Sequence, residues 1–243
     1  MEAQAGAFFL SVNARIAKKS PIYDFLETIC NIQVSVNAPL TDFVRSAPQF
    51  PVVLSFMYFF DNFTQPALMY LMLHSVYCWC WLTKHMTFRD KNFDEKVSFP
   101  FFLTIFVYVD LYWVGPYMLC KYRRDPYLEN WEMCAAILLW GYGVFLHFAS
   151  DSQKAHTLTY RGRGLITSGL FSWVRNPNYL GETLIYMAYA LLTKSKVAWA
   201  ILASFILITF VPNMIKKDKS LEKYGEDFVN YKKKTWVMIP FIY

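Results

Sequence analysis

Apolar residues in this 243-residue chain gather into blocks separated by short polar stretches. The blocks run Phe50–Phe63, Ala67–Thr83, Phe99–Cys120, Trp131–Ser150, Tyr179–Thr193 and Val197–Ile215. Crossing a bilayer as a helix takes about 20 residues. The first and fifth blocks are therefore tilted extensions of longer helices, or partial insertions. The pattern predicts an all-α polytopic membrane bundle with five or six transmembrane helices. Residues 1–48 are mixed, with amphipathic character around Tyr23–Val34, and read as an interfacial segment on the membrane surface or against a partner. Residues 49–243 form the membrane domain.

Composition agrees. The chain is 56% hydrophobic and 19% aromatic, with a mean hydropathy of +0.23, which is more apolar than a soluble domain. Basic residues then orient it. With six spans and both termini on one side, only Lys121, Arg123, Arg124, Lys194 and Lys196 fall on the other side, out of 24 Lys and Arg. That asymmetry places the termini on the cytosol- or matrix-like side. The net charge of +6 thus reads as membrane orientation and not as nucleic-acid binding. Ala5–Val12 is short and preceded by Glu2, unlike a secretory signal peptide. Cys30, Cys78, Cys80, Cys120 and Cys134 have no ligand-spaced partners and read as packing residues, with no metal site. Asp110 falls inside a block, where a charge costs at least about 2.5–3.5 kcal/mol, so it is expected to face the bundle interior or a partner. His74 and His147, also within blocks, read as packing residues when neutral.

Candidate chemistry concentrates after the fourth block. Gln153-Lys154 leaves the membrane in a charged helix end, where Lys154 could meet a phosphate or snorkel at the interface. Arg161-Gly162-Arg163-Gly164 and Ser168-Gly169-Leu170-Phe171 follow. Glycines there admit an anion close to backbone amides. Then comes Arg175-Asn176-Pro177-Asn178-Tyr179-Leu180-Gly181-Glu182. A polar turn cassette beside a bilayer is costly unless its groups are paired. Asn178 suits an N-cap and Glu182 the first helical turn; the functional alternative is that Arg175, Asn178 and Tyr179 hold a polar ligand. Lys223-Tyr224-Gly225, Tyr231 and Pro240-Phe241-Ile242-Tyr243 follow, on a basic segment suited to the interface.

Residues 150–243 resemble the C-terminal half of the membrane sterol reductases and the related steroid 5-alpha-reductase superfamily. The matching features are Gln153-Lys154, Ser168-Gly169, Arg175 to Glu182, Lys223-Tyr224-Gly225, Tyr231 and the terminal Pro-x-Ile-Tyr, in the family's order. The resemblance implies a helical membrane fold that binds NADPH and delivers hydride to a carbon–carbon double bond of a sterol, steroid or enoyl lipid, with an acidic group supplying the proton. Carried over by position, Lys154, Phe171, Arg175, Asn178, Tyr179, Glu182 and Tyr231 would surround the cofactor. The chain departs from the pattern at Asn176, where the family has His, at Leu158, where it has Arg, and at Ile215 and Lys216, where it has an Arg-Asp pair. The resemblance implies the endoplasmic reticulum membrane, with membrane lipids and a lipid-like substrate as partners.

The departures sustain a second expectation. It is a catalytically silent subunit of a membrane complex, for example in the mitochondrial inner membrane, in contact with other membrane subunits. A third is an isoprenylcysteine-type methyltransferase using S-adenosylmethionine, which shares an Arg-His-Pro-x-Tyr cassette.

Overall fold

A computed structural model of the chain describes residues 49–88 and 110–241, together with 33–34, 97–98, 100, 103, 107 and 108. The chain divides into two compact units, residues 1–40 with 91–109 and residues 41–90 with 110–243. The described part of the first unit holds a short antiparallel pair, β1 (Gln33–Val34) and β2 (Val97–Ser98), with Gln33 opposite Ser98 and Val34 opposite Val97. The expectations for Ala5–Val12, for Cys30 and for most of Tyr23–Val34 and Phe99–Val109 lie outside the described residues.

The second unit is helical. It comprises α1 (Gln49–Phe59), α2 (Gln65–Thr87), α3 (Val114–Tyr122), α4 (Asn130–Tyr160), α5 (Pro177–Thr193), α6 (Lys196–Phe205), α7 (Val211–Leu221) and α8 (Glu226–Lys234). A π-turn at Ile206–Phe210 joins α6 to α7, so one helical path runs Lys196–Tyr224. That path and α4 are long and apolar enough to cross a membrane. Their 29 and 31 residues correspond to about 44 and 46 Å at the α-helical rise. The other helices among the described residues are shorter or more polar. α5 has 17 residues, α1 has 11, and α2 has 23 but buries His74, Ser75 and Lys84. The prediction of a helical bundle is met. Among the described residues, these two helices have the length and composition to cross unaided.

The core joins α1, α2, α3 and α5 through Val53, Met57, Tyr70, Leu71, Leu119, Ile185 and Leu192. Outside it, Trp79, Leu138, Tyr142, Phe145, Leu207 and Ile208 are exposed. An apolar exterior of this kind is what hydrocarbon solvates and water does not. Asp110, at the start of the turn leading into α3, is half-buried.

α4 and α5 form the closest helix pair, and two glycines explain why. A Cβ at Gly181 would lie 2.5 Å from the His147 amide nitrogen and 2.6 Å from the Gly143 carbonyl oxygen; one at Gly143 would lie 2.6 Å from the Gly181 carbonyl oxygen. Only residues without side chains let the backbones approach this far. Gly181 in the cassette thus serves helix packing.

The end of the bundle at the start of α4 is closed by polar bonds. Asn62 donates to the carbonyls of Leu119, Cys120 and Arg123 at 3.3, 2.9 and 2.7 Å, satisfying carbonyls that the end of α3 leaves over. Arg123 donates to Glu132 Oε2 at 2.8 Å and to the Leu192 carbonyl at 2.7 Å. Lys194 reaches Glu132 Oε1 and Asp125 Oδ2, each at 3.1 Å. Glu132 also accepts from the Glu129 amide at 3.0 Å, the return bond of a capping box.

Candidate functional site

The opposite end of α4 meets the cassette, and the bonds begin with Gln153. Its side-chain amide donates to the Ser168 carbonyl at 2.8 Å and its oxygen accepts from the Leu170 amide at 3.0 Å. Gly169 sits against that amide with φ of 62°; a Cβ there would lie 2.6 Å from Gln153 Nε2. The Gln153-Lys154 and Ser168-Gly169 features are therefore two halves of one loop anchor. Lys154 points outward and is exposed.

From this turn the chain runs through Trp173–Asn176 and is strapped by the segment after α8. Val174 forms a parallel bridge with Trp236. The Arg175 amide donates to the Trp236 carbonyl at 2.8 Å, and the Trp236 amide to the Trp173 carbonyl at 3.0 Å. Asn176 Nδ2 donates to the Val237 carbonyl at 2.9 Å. From α8, Tyr231 donates its hydroxyl to the Phe171 carbonyl at 2.6 Å; burial pushes this phenol up to about 12. The cassette and the Lys223–Tyr231 segment thus close on each other, as their shared side of the membrane predicts.

The helix after the cassette starts differently from expectation. Asn178 is not the N-cap: Asn176 holds that position, with φ −132° and ψ 62° and no side-chain capping bond, and Pro177 opens α5. Pro is favoured there because its fixed φ suits a first turn and its absent N–H would have had no partner. Asn178 instead lends its backbone carbonyl to His147 Nδ1 at 3.2 Å. A carbonyl only accepts, so Nδ1 carries the proton and Nε2 presents a lone pair. Nε2 is buried without a partner.

Arg175 is 5% exposed, and its guanidinium is almost fully committed. Nε and Nη2 donate to the two oxygens of Asp218 at 3.2 and 3.0 Å. Nη1 donates to the Thr235 carbonyl at 2.7 Å and reaches the Thr235 hydroxyl at 3.3 Å. Beside it, Lys217 donates to the Arg175 carbonyl at 2.8 Å and to Asn176 Oδ1 at 3.0 Å. Its ammonium lies 5.5 Å from the centre of the Phe171 ring. Lys217 lies beyond the apolar stretch that ends at Ile215. Burial, with neighbouring Lys154 adding to it, lowers its pKa to about 8. Lys217 and Asp218 were missed as site residues. Their signal was a cation and an anion side by side just before Lys223-Tyr224-Gly225.

Deeper along α5, Tyr179 bonds Asn213 and packs at 4.9 Å on Phe210. Glu182 is half-buried and lies within electrostatic reach of Tyr77, Tyr179 and Tyr186. His147 lies close by, 6.3 Å from Tyr77 and 5.3 Å from Trp81 between ring centres. Lys84 pairs with Asp151 one turn beyond. Farther into the bundle, Tyr70, Tyr112, Tyr186 and Tyr189 line a small cleft of about 30 Å³ with Gly115 and Leu202. The sequence positions therefore divide in two. Phe171, Arg175 and Tyr231 lie in the strapped corner with exposed Lys154 beside it, whereas Asn178, Tyr179 and Glu182 line the step down into the bundle. Ile215 is exposed, and the carboxylate that meets Arg175 comes from Asp218, two residues after Lys216. The corner gathers three cations, with Lys154 and Arg175 both within electrostatic reach of Lys217. In kind, this donor set fits a phosphate-bearing dinucleotide. No cluster of His, Cys, Asp or Glu able to hold a metal occurs among the described residues.

The family model described as 3-oxo-5-alpha-steroid 4-dehydrogenase matches residues 96–243. The chain is 28% identical to steroid 5-alpha-reductase DET2 of Solanum lycopersicum over 75% of its own length and 72% of that protein. It is 28% identical to 3-oxo-5-alpha-steroid 4-dehydrogenase 1 of Bos taurus, over 49% of its length and 45% of the bovine protein. It is likewise 28% identical to the Delta(14)-sterol reductase of Methylotuvimicrobium alcaliphilum, over 48% of its length and 32% of that chain.

Proposed function

Because the chain belongs to the 3-oxo-5-alpha-steroid 4-dehydrogenase family, we propose that it is an integral membrane reductase of the endoplasmic reticulum, using NADPH to saturate a carbon–carbon double bond in a steroid, sterol or enoyl lipid. The observation that carries this reading is the corner where the cassette and the Lys223–Tyr231 segment close on Lys154, Arg175 and Lys217, directly above Tyr179 and Glu182. A bound nicotinamide supplies hydride. The protein's part is to hold phosphate with the three cations, to place the ring through Asn178, Tyr179 and Glu182, and to keep water out with the aromatic wall below. Protonation of the second carbon needs an acidic group, and the tyrosine hydroxyls around Glu182 are the protons nearest to that step.

The test is NADPH oxidation by detergent-solubilised protein given a 3-oxo-Δ4 steroid or an enoyl lipid, with product identified by mass spectrometry. Absence of both turnover and NADPH binding at millimolar concentration would remove this reading. A second reading, a silent subunit of a membrane complex, draws support from one observation: Arg175 is already ligated by Asp218 and Thr235. Under that reading, the protein migrates on a native gel within a much larger assembly.

A further inference from the structure

Arg175 has five N–H donors. Asp218 takes two from the edge that a carboxylate or phosphate grips in bidentate fashion. Thr235 takes the Nη1 pair, which leaves one N–H on Nη2. Lys217 has likewise committed two of its three donors to the backbone of Arg175 and the side chain of Asn176. An incoming phosphate therefore finds one exposed cation, Lys154, and two that are already ligated. The Asp218 side chain, however, is 17% exposed while that of Arg175 is 5% exposed. The carboxylate thus lies on the solvent side of the pair, where a competing anion would arrive. Thr235, by contrast, lies on the buried strap.

We propose that Asp218 sets this site's affinity for anions: its carboxylate occupies the face of Arg175 that a phosphate would take, and an anionic ligand binds by exchanging with it. This rests on the phosphate-binding reading of the corner given above. Asp218 is then a specificity-determining residue. It makes the corner answer only to ligands whose charge and remaining contacts outweigh an internal ion pair, and it screens out small anions. Exchange frees Asp218 into solvent, and the strap bonds of Thr235, Trp236 and Val237 stay in place.

The experiment is a binding titration of full-length, detergent-solubilised protein with NADPH and, separately, with inorganic pyrophosphate. Asp218→Asn keeps the shape and removes the charge. It is expected to tighten both by about tenfold or more, a gain of about 1.4 kcal/mol or more. Asp218→Glu, which keeps the charge, is expected to leave both weak, and adding Arg175→Ala to Asp218→Asn is expected to abolish the gain. A loss of fold would weaken binding, so a gain is not explained by a structural role. Unchanged or weaker binding in Asp218→Asn overturns the proposal, even if the unmodified protein binds NADPH and turns over substrate. Tight binding in Asp218→Asn with none in the unmodified protein upholds the proposal and removes the reductase reading. Should Asp218→Asn fail to fold, Asp218→Ser serves, together with a structure of the unmodified protein at saturating pyrophosphate. Arg175 still gripping Asp218 in that structure overturns the proposal.

Discussion

Two buried arginines, one at each end of α4, meet carboxylates in similar ways and to different ends. Arg123 and Glu132 have side chains 2% and 1% exposed, and around them lie the Leu192 carbonyl near the end of α5, Lys194 just after it and the loop residue Asp125. Arg175 and Asp218 lie where a loop, a helix and a strap converge, and the carboxylate there retains contact with solvent. A pair with both partners buried can only break or hold, since removing one partner strands the other charge. A pair with one partner at the rim can be exchanged. The contrast teaches that burial of a charge is not the mark of a ligand site. What matters is which partner faces outward.

Four measurements would break or sharpen this contrast. The largest effect is expected at the sealed end. Glu132→Ala leaves Arg123 buried with its principal anion gone and should cost about 3–5 kcal/mol, measured by thermal or denaturant unfolding in detergent; a cost below 1 kcal/mol would mean that the pair is not sealed. Gly181→Ala comes next. Its new methyl meets backbone and not a yielding side chain, so α4 and α5 must part, at about 1–3 kcal/mol. Melting curves report that loss, and a neutral result would refute the close crossing. Tyr231→Phe removes one hydroxyl bond to the Phe171 carbonyl and should cost about 1 kcal/mol. The accompanying sign is faster hydrogen exchange at Ser172 and Trp173, the loop that the bond pins.

The smallest effect is a pH dependence carried by Lys217. Its folded pKa of about 8 lies below the ordinary lysine value of 10.5, so between the two the unfolded chain binds more protons. Stability from this group therefore rises with pH from about 8 to about 10.5 and is flat below. Phosphate binding has the opposite sign, since it needs the charged amine: affinity should fall as pH rises through about 8. Lys217→Met should flatten both profiles. A pyrophosphate affinity that holds constant from pH 7 to 9.5 would show that Lys217 plays no part in anion binding.

Much of this was legible in the residues. The apolar blocks located α4 and the α6–α7 path, and the Asn-Pro pair announced a turn followed by a helix. The common side of the cassette and the Lys223–Tyr231 segment predicted that they would meet. Other features were not legible, for identifiable reasons. The cap fell on Asn176 because Pro177 set the helix start, two residues before the cap suggested by Asn178 alone. Asp218 was missed because it falls two residues after Lys216, the position at which the resemblance puts the Asp of an Arg-Asp pair. The Arg123–Glu132 pair was hidden for a different reason. The count of basic residues treats Arg123 as a loop residue while Glu132 falls just inside the fourth block, and only the Glu129-x-x-Glu132 spacing marks a capped helix start.

The strap has a consequence for biogenesis. Thr235–Val237 are translated after every other part of the corner they close, so Trp173–Asn176 reaches the membrane with its backbone partners still unmade. For that interval the cassette must rely on surrounding water or on a chaperone to satisfy amides and carbonyls that Trp236 and Val237 later take. Quality control therefore has a late checkpoint in this chain: a truncation or a bulky extension just after α8 would leave the helices inserted and the corner open, and would be expected to show as rapid turnover of a fully inserted protein.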